Sequence, residues 1–255
     1  MSVQSDYNGF DPRSYLQEYY ADVGPENLAL LRFLVRAFRQ IPPDSLTLDF
    51  GGGPTLYASL VAAGRVREIH LADYSPANLK QVRLWLGQAS EAFDWTPFVR
   101  AILELEGLAP TLQAVANREA QTRRAITCVM PCDAKAAHPL GEGSPLYDVV
   151  MTNFCLEAAA QNKEEWQRCL ANVVSLLRPG GYLLLSAIKG ACAYHVGSAT
   201  FGAVPLDEDD LRETLMACGL AADTIAIESV PADRSERIYT GLMFVSARRH
   251  GGEVG

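Results

Sequence analysis

Strand-sized and helix-sized segments alternate along most of this chain, and that rhythm limits its possible folds more than any other feature. Apolar runs predict five strands, over Leu46–Phe50, Val66–Ala72, Ala125–Met130, Tyr147–Phe154 and Tyr182–Ile188. Helical stretches lie between them, near Thr55–Ala63, Pro76–Leu86, Leu108–Arg124 and Glu164–Leu177. Most of the strands are apolar on both faces, as a sheet covered by helices on both sides requires. The pattern therefore predicts a doubly wound α/β fold with a mostly parallel sheet.

The two ends of the chain depart from this rhythm. Residues 1–45 are predicted to form an N-terminal lid and a helix, and residues 46–255 a Rossmann-like core in the same single domain. The insert at about 90–124 is long for one crossover, so we expect part of it to cover a ligand. Strands over Thr224–Val230 and Arg237–Ala247 are joined closely enough to pair antiparallel at the sheet edge.

Composition restricts the partners that the chain can have. The net charge of −8 argues against nucleic acid, which binds through Lys and Arg. No signal-peptide pattern and no apolar run of about 18 residues is present, so we expect a cytoplasmic protein without a membrane partner. Six scattered cysteines indicate free thiols, and only Cys128 and Cys132 lie close together, so we expect no metal site. We expect a monomer with a small-molecule partner.

Glycines and acidic residues follow the first three predicted strands. Asp49 is followed by Gly51, Gly52 and Gly53, where the backbone can pass close to a ligand above the strand end. Asp73 closes the second strand, where a carboxylate can bind both hydroxyls of an adenosine ribose. Asp133 follows the third strand and can receive the adenine amino group. These positions predict an adenosine-containing ligand.

The turn after the first strand favours one such ligand over another. A dinucleotide needs a third glycine at the helix N-terminus for its pyrophosphate, but Leu56 stands there and Pro54 stiffens the turn. The ligand that fits is S-adenosylmethionine (SAM), which has no pyrophosphate.

Six segments, in order along nearly the whole chain, carry a resemblance to one enzyme family. They are Phe10–Tyr20, Asp49–Tyr57, Asp73–Asn78, Glu91–Trp95, Cys155–Ala158 and Leu177–Gly181. They resemble the nicotinamide/phenylethanolamine/indolethylamine N-methyltransferases. The resemblance implies the class I methyltransferase fold, with seven strands, one of them an antiparallel edge strand, and an N-terminal helical lid. The resemblance and the strand-end positions described above together imply a set of SAM contacts. The residues that would make them are Tyr15, Tyr20, Asp49, Gly51, Gly52, Gly53, Thr55, Tyr57, Asp73, Tyr74, Asn78, Asp133, Ala134 and Asn153.

The chain departs from that family where the amine acceptor should be held. Just after the strand that follows Pro-Gly-Gly, the family has a carboxylate where this chain has Ser186-Ala187. After the next Phe, the family has small hydroxyl residues where this chain has Gly202-Ala203. A buried cationic amine would there lack its counter-charge. The remaining polar groups of the inferred pocket are Tyr7, Asn153, Ser186, Tyr194, His195, Ser198 and Tyr239.

This departure leads to our first hypothesis on the reaction. Some bacterial relatives of the family cyclise SAM to azetidine-2-carboxylate and release 5′-methylthioadenosine, and the missing carboxylate favours that reaction here. Neutral groups would orient the SAM amine, and a tyrosine or water would take its proton. The candidate catalytic residues are Tyr7, Tyr15, Asn153, Ser186 and Tyr194. Methyl transfer to a small amine or heteroaromatic nitrogen, and SAM binding without catalysis, are the alternatives.

Overall fold

The computed structural model describes residues 9–233 and 238–251, and a seven-stranded sheet forms its centre. The strands along the chain are β1 (Leu46–Phe50), β2 (Glu68–Asp73), β3 (Ile126–Pro131), β4 (Tyr147–Asn153), β5 (Leu177–Lys189), β6 (Ala193–Val196), β7 (Ala199–Gly202), β8 (Ala226–Pro231) and β9 (Gly241–Arg248). The order across the sheet is β3-β2-β1-β4-β5-β9-β8, while β6 and β7 form a separate hairpin. Neighbours from β3 to β5 are parallel, and β9 runs antiparallel to both β5 and β8.

Nine α-helices precede, connect or follow these strands in the described ranges. They are α1 (Pro12–Tyr20), α2 (Gly24–Phe38), α3 (Tyr57–Ala62), α4 (Pro76–Leu86), α5 (Thr96–Leu105), α6 (Leu112–Ala125), α7 (Leu156–Ala159), α8 (Lys163–Ser175) and α9 (Glu208–Ala217). Side chains cap several of them, because the first N–H groups of a helix have no partner within it. Ser75 accepts from Asn78 N at the start of α4, and Asp207 and Asp210 form a capping box at α9. None of these helices is long and apolar enough to cross a membrane.

Two apolar layers hold the helices against the sheet. Neighbouring residues of a strand point to opposite faces, so Phe244 and Val245 of β9 belong to different layers. On one side Phe33 of α2 stacks on Phe244, with ring centroids 5.3 Å apart. On the other side Trp166 of α8 and Leu211 of α9 are buried. The sheet is therefore covered on both faces, as the apolar strands predict.

The predicted fold class is confirmed, with differences in two places. β8 and β9 do pair antiparallel, but β9 lies between β5 and β8, so the antiparallel strand is one place in from the edge. The insert holds two helices, α5 and α6, where the sequence analysis predicted one over Leu108–Arg124. Phe98, Val99 and Ile102 of α5 are fully buried, on the side of the sheet that also holds α2 and α3.

Candidate active site

A cavity of about 1110 Å³ opens at the carboxyl ends of β1, β2 and β4. This is where open α/β sheets bind ligands. Its volume exceeds the roughly 300–1,000 Å³ of ordinary ligand pockets, so it has room for two small molecules. Residues 79–131, all within the described ranges, contribute nothing to its lining. The expectation that the insert at 90–124 covers the ligand is therefore wrong, because its apolar faces are used in the core.

Most of the predicted site residues meet in this cavity. Those that line it are Tyr15, Tyr20, Gly51, Gly52, Gly53, Thr55, Tyr57, Asp73, Tyr74, Asn78, Asp133, Ala134, Asn153 and Tyr194, together with His195 and Tyr239. Ser198 is not part of the lining, and Tyr7 lies outside the described residues.

Two predicted contacts lie behind the cavity wall. Asp49 is 2% exposed beneath the glycine turn and accepts a hydrogen bond from Ser59 Oγ at 2.8 Å. Burial raises the pKa of Asp49 to about 7. Its Oδ1 lies 3.2 Å from where a Cβ on Gly52 would stand, so Asp49 supports the turn and does not touch a ligand. Ser186 is also buried, and its Oγ donates to Asn153 Oδ1 at 2.7 Å. The structure therefore places neither Asp49 nor Ser186 at the cavity surface, in contrast to the direct contacts that we predicted for them.

The end of β2 forms an accepting site suited to a ribose. Asp73 Oδ2 accepts from Gly53 N at 2.8 Å, and Oδ1 accepts from Ser75 N and from Asn78 Nδ2. Burial raises the pKa of Asp73, while these three hydrogen bonds act against that rise. Asn78 Oδ1 is buried and has no partner within the described part of the chain. Carboxylate and amide oxygens facing one space fit the two hydroxyls of the SAM ribose.

An aromatic group from the N-terminal helix covers this region. The ring of Tyr20 stacks on that of Tyr57, with centroids 5.5 Å apart and planes inclined by 15°, and its hydroxyl lies 3.4 Å from the hydroxyl of Tyr15. Burial raises the pKa of all three phenols well above the usual value. They therefore stay protonated at neutral pH, so Tyr15, one of the candidate catalytic tyrosines, is a hydrogen-bond donor there and not a ready base.

Hydrogen bonds connect helix α1 to the β6–β7 hairpin across the cavity. Tyr19 Oη donates to the carbonyl of His195 at 2.8 Å, and Gly197 N donates to Glu18 Oε1 at 2.8 Å. Tyr194 of the hairpin stacks on Phe201 at 5.4 Å. The two elements thus form one roof, which we call the α1–hairpin clasp.

A buried carboxylate outside the set of candidate catalytic residues faces the same cavity. Glu157 is the second residue of α7, is 2% exposed, and accepts from Ile188 N at 2.9 Å. Burial raises the pKa of Glu157 to about 7. Residues 182–201 do lack a carboxylate, as the sequence analysis states for the two family positions, but Glu157 brings one to the same cavity from α7. Its place in the short helix that follows β4 was the available signal.

Comparison with known proteins agrees with this site. The model of the NNMT/PNMT/TEMT family matches residues 1–250. The chain belongs to that family. It is 34% identical to phenylethanolamine N-methyltransferase of Bos taurus over 88% of this chain and 83% of the relative. It is 31% identical to nicotinamide N-methyltransferase of Homo sapiens over 94% and 93%.

Solved structures agree on the fold of this family member. The magnesium protoporphyrin IX methyltransferase of Synechocystis, with bound S-adenosylhomocysteine (SAH), has a TM-score of 0.56 at 15% identity and covers 95% of this chain and 94% of its own. The N-methyltransferase NodS of Bradyrhizobium japonicum, also with SAH, has a TM-score of 0.56 at 11% identity, covering 91% and 90%. Together with the family match, this fold makes the chain a SAM-dependent enzyme of the methyltransferase type.

Proposed function

We propose that this enzyme methylates a nitrogen atom of a small amine or heteroaromatic acceptor. The observation that carries the proposal is Glu157, a buried carboxylate in a cavity large enough for a second ligand. A carboxylate held there stabilises a positively charged acceptor, or the charge that develops on its nitrogen. The names of the curated relatives, which are amine and nicotinamide N-methyltransferases, support the same reaction.

Aromatic side chains complete the acceptor side of the cavity. Phe10 contacts Tyr15 and Phe201, with ring centroids 5.2 Å and 5.6 Å away, and Tyr194 stacks on Phe201. Such rings bind a planar or cationic ligand through stacking and cation–π attraction, worth roughly 0.5–2 kcal/mol. They also exclude water from the reacting nitrogen.

The protein's own groups position and shield the reactants. When bound, SAM supplies an electrophilic methyl group on its sulfonium. The acceptor nitrogen uses its lone pair to form the new N–C bond as the C–S bond breaks, which leaves SAH. Asp73 and Asn78 hold the nucleoside, while the α1–hairpin clasp closes over it. Glu157 faces the acceptor nitrogen, which attacks as the neutral base, and balances the positive charge that the nitrogen gains as the sulfonium loses its own.

The test is incubation of the purified protein with SAM, with and without an amine. Phenylethylamines, tryptamine and nicotinamide are suitable acceptors. We expect SAH to form only when an acceptor is present, together with one equivalent of N-methylated product. Methylthioadenosine and azetidine-2-carboxylate from SAM alone would contradict methyl transfer and indicate cyclisation. SAM binding without turnover of any acceptor would leave a binding role.

A further inference from the structure

One segment that carries the family resemblance takes no part in lining the cavity. None of residues 91–95, all of which the structure describes, contributes to that lining. Trp95 is nevertheless only 1% exposed, and its ring packs against that of Tyr20 with centroids 5.8 Å apart. Tyr20 does line the cavity. Trp95 therefore lies one side chain behind the surface that a ligand meets.

The ring of Trp95 is fixed by its own segment and by α5. Phe93 meets it edge to face with centroids 5.0 Å apart, and Phe98 does so at 5.1 Å. Such T-shaped pairs are a favoured arrangement of aromatic rings. Asp94 Oδ1 accepts from Thr96 N at 2.9 Å, which satisfies one of the first N–H groups of α5. Trp95 is thus held from the side of the insert.

Helix α1 is a thin wall between the cavity and a second, smaller cleft. This cleft, of about 440 Å³, lies between α1 and residues of the 91–97 stretch. Gln17 and Ala21 line both spaces. Because open space lies behind part of α1, packing does not fix the helix along its whole length. Leu16 and Tyr20, which are 2% and 4% exposed, attach it to the apolar core.

Tyr20 connects this attachment to the ligand side of the helix. Its ring stacks on Tyr57 and also contacts Phe98, with centroids 5.5 Å and 5.9 Å away, and its hydroxyl lies 3.4 Å from that of Tyr15. A phenol ring is rigid, so contacts along the ring determine where its hydroxyl lies. A ring held in place before the ligand arrives loses less conformational freedom on binding, which increases affinity.

We propose that Trp95 is a positioning residue that holds the Tyr20 ring, and through it α1, closed over the SAM site. The insert then affects cofactor affinity from behind the helix, without covering the cofactor. Trp95 acts only through Tyr20, since it does not line the cavity itself.

A matched pair of tryptophan variants provides the first test. Trp95→Phe keeps an aromatic ring but reduces the contact with Tyr20, and by calorimetry we expect the dissociation constant of SAH to rise about threefold to tenfold. Trp166 is equally buried, at 1% exposed, but belongs to α8 in the opposite apolar layer. Trp166→Phe should lower Tm by a similar amount and change the affinity for SAH less than about twofold.

A double-mutant cycle tests whether Trp95 acts through Tyr20. Tyr20→Leu removes the ring that Trp95 contacts. In that background, Trp95→Phe should change the affinity for SAH less than about twofold, because the path from Trp95 to the ligand is already broken. A merely structural role of Trp95 gives the same fold loss with and without the Tyr20 ring.

Hydrogen exchange of the free protein gives a second measurement that needs no ligand. Trp95→Phe should speed exchange of the amides in α1, whereas Trp166→Phe should leave α1 unchanged.

Three results would overturn the proposal. They are an unchanged affinity for SAH in Trp95→Phe, an equal loss in Trp166→Phe, and the same fold loss from Trp95→Phe in both backgrounds of the cycle. The measurements use no acceptor and no turnover, so their outcome is independent of whether the enzyme methylates an amine.

Discussion

The charge on Glu157 depends on what lies beside it in the cavity. Burial disfavours the ionised form and raises the pKa of this carboxyl to about 7, against an ordinary value of 4.5. Positive charge that develops on the acceptor nitrogen favours the ionised form by direct attraction. In the proposed reaction, methyl transfer is therefore linked to deprotonation of Glu157 and is fastest above the pKa of this group.

This linkage predicts the pH dependence of the reaction. For an acceptor that does not itself titrate between pH 5.5 and 8, kcat/KM should rise with pH and level off above about 7. Glu157→Gln should lower kcat/KM about 10- to 100-fold, since a hydrogen bond or contact to a charged group is lost, and should flatten the profile.

A matched control separates this effect from general loss of charge. Glu164→Gln removes a carboxylate from the exposed face of α8, where its side chain is 84% exposed, and should leave the profile unchanged. An inflection near pH 7 that persists in Glu157→Gln would assign the titration to another group.

At single positions, the sequence predicted well which residues lie at the ends of strands near the ligand. It predicted poorly in which direction side chains within a strand point. Gly51 and Asp73 are placed by chain order, because parallel strands bring their carboxyl ends to one edge, whereas Asn78 was implied by the family resemblance. The direction in which Asp49 and Ser186 point could not be predicted in this way. In β1 the polar Thr47 and Asp49 alternate with three apolar residues, but this pattern marks a face of the sheet and not the end at which the ligand lies. In β5 the residues around Ser186 are apolar on both faces, so no alternation marks the side on which its hydroxyl lies.

At the level of elements, α1 and the β6–β7 hairpin act on the cavity together. Glu18 and Tyr19 lie on adjacent positions of α1 and bond to the backbone at 197 and 195 of the hairpin. The two elements also bury Leu16 and Tyr20 of α1 and Val196 and Phe201 of the hairpin, but both hydrogen bonds between them are exposed to solvent. Exposed hydrogen bonds open more readily than buried apolar contacts, so we expect ligands to enter and leave when the clasp separates.

Weakening the clasp should speed ligand release. We expect the double variant Glu18→Ala, Tyr19→Phe to raise the dissociation rate of SAH about fivefold to thirtyfold, as two exposed hydrogen bonds contribute about 0.5–1 kcal/mol each. Stopped-flow displacement measures the rate, and hydrogen exchange should increase in α1 and the hairpin only. A rate equal to that of Glu164→Gln would show that the clasp does not limit release.

The elements that sequence analysis missed had weaker or shorter signals. The apolar residues Phe98, Val99, Ile102 and Leu103 of α5 follow a helical spacing. Their burial against α2 and α3 is evident only in the structure. The hairpin has two strands of four residues, and its Gly197-Ser198 turn was its one local indication. Short pairs of this kind depend on contacts with distant residues for their stability.

Across the whole molecule, the cavity joins segments far apart in sequence. Its lining comes from α1, three of the central strand ends, α7, the hairpin and the start of β9. A ligand bound there stabilises all of them at once, and it binds the folded chain only.

This arrangement predicts a large thermal shift. At a concentration of 100 times its dissociation constant, SAH should stabilise the protein by about 2.7 kcal/mol and raise Tm by roughly 5–10 °C for a chain of this size. Asp73→Asn should lose most of that shift at the same concentration of SAH while changing the Tm of the free protein less. Differential scanning fluorimetry measures both, and an equal shift in the two proteins would contradict the ribose site at Asp73.

The glycine turn above β1 also restricts how this protein can evolve. Gly51 has a φ of +66°, and a Cβ there would collide with Sγ of Cys155 and stand 2.8 Å from its Cβ. A substitution at position 51 is therefore blocked by a residue that lies 104 positions away in the chain (155 − 51). Cys155 must therefore be replaced by glycine before position 51 can accept a side chain. Even then, only the few residues that tolerate a positive φ can stand at position 51. The two sites are epistatic, and the order of the two mutations decides whether the intermediate survives selection.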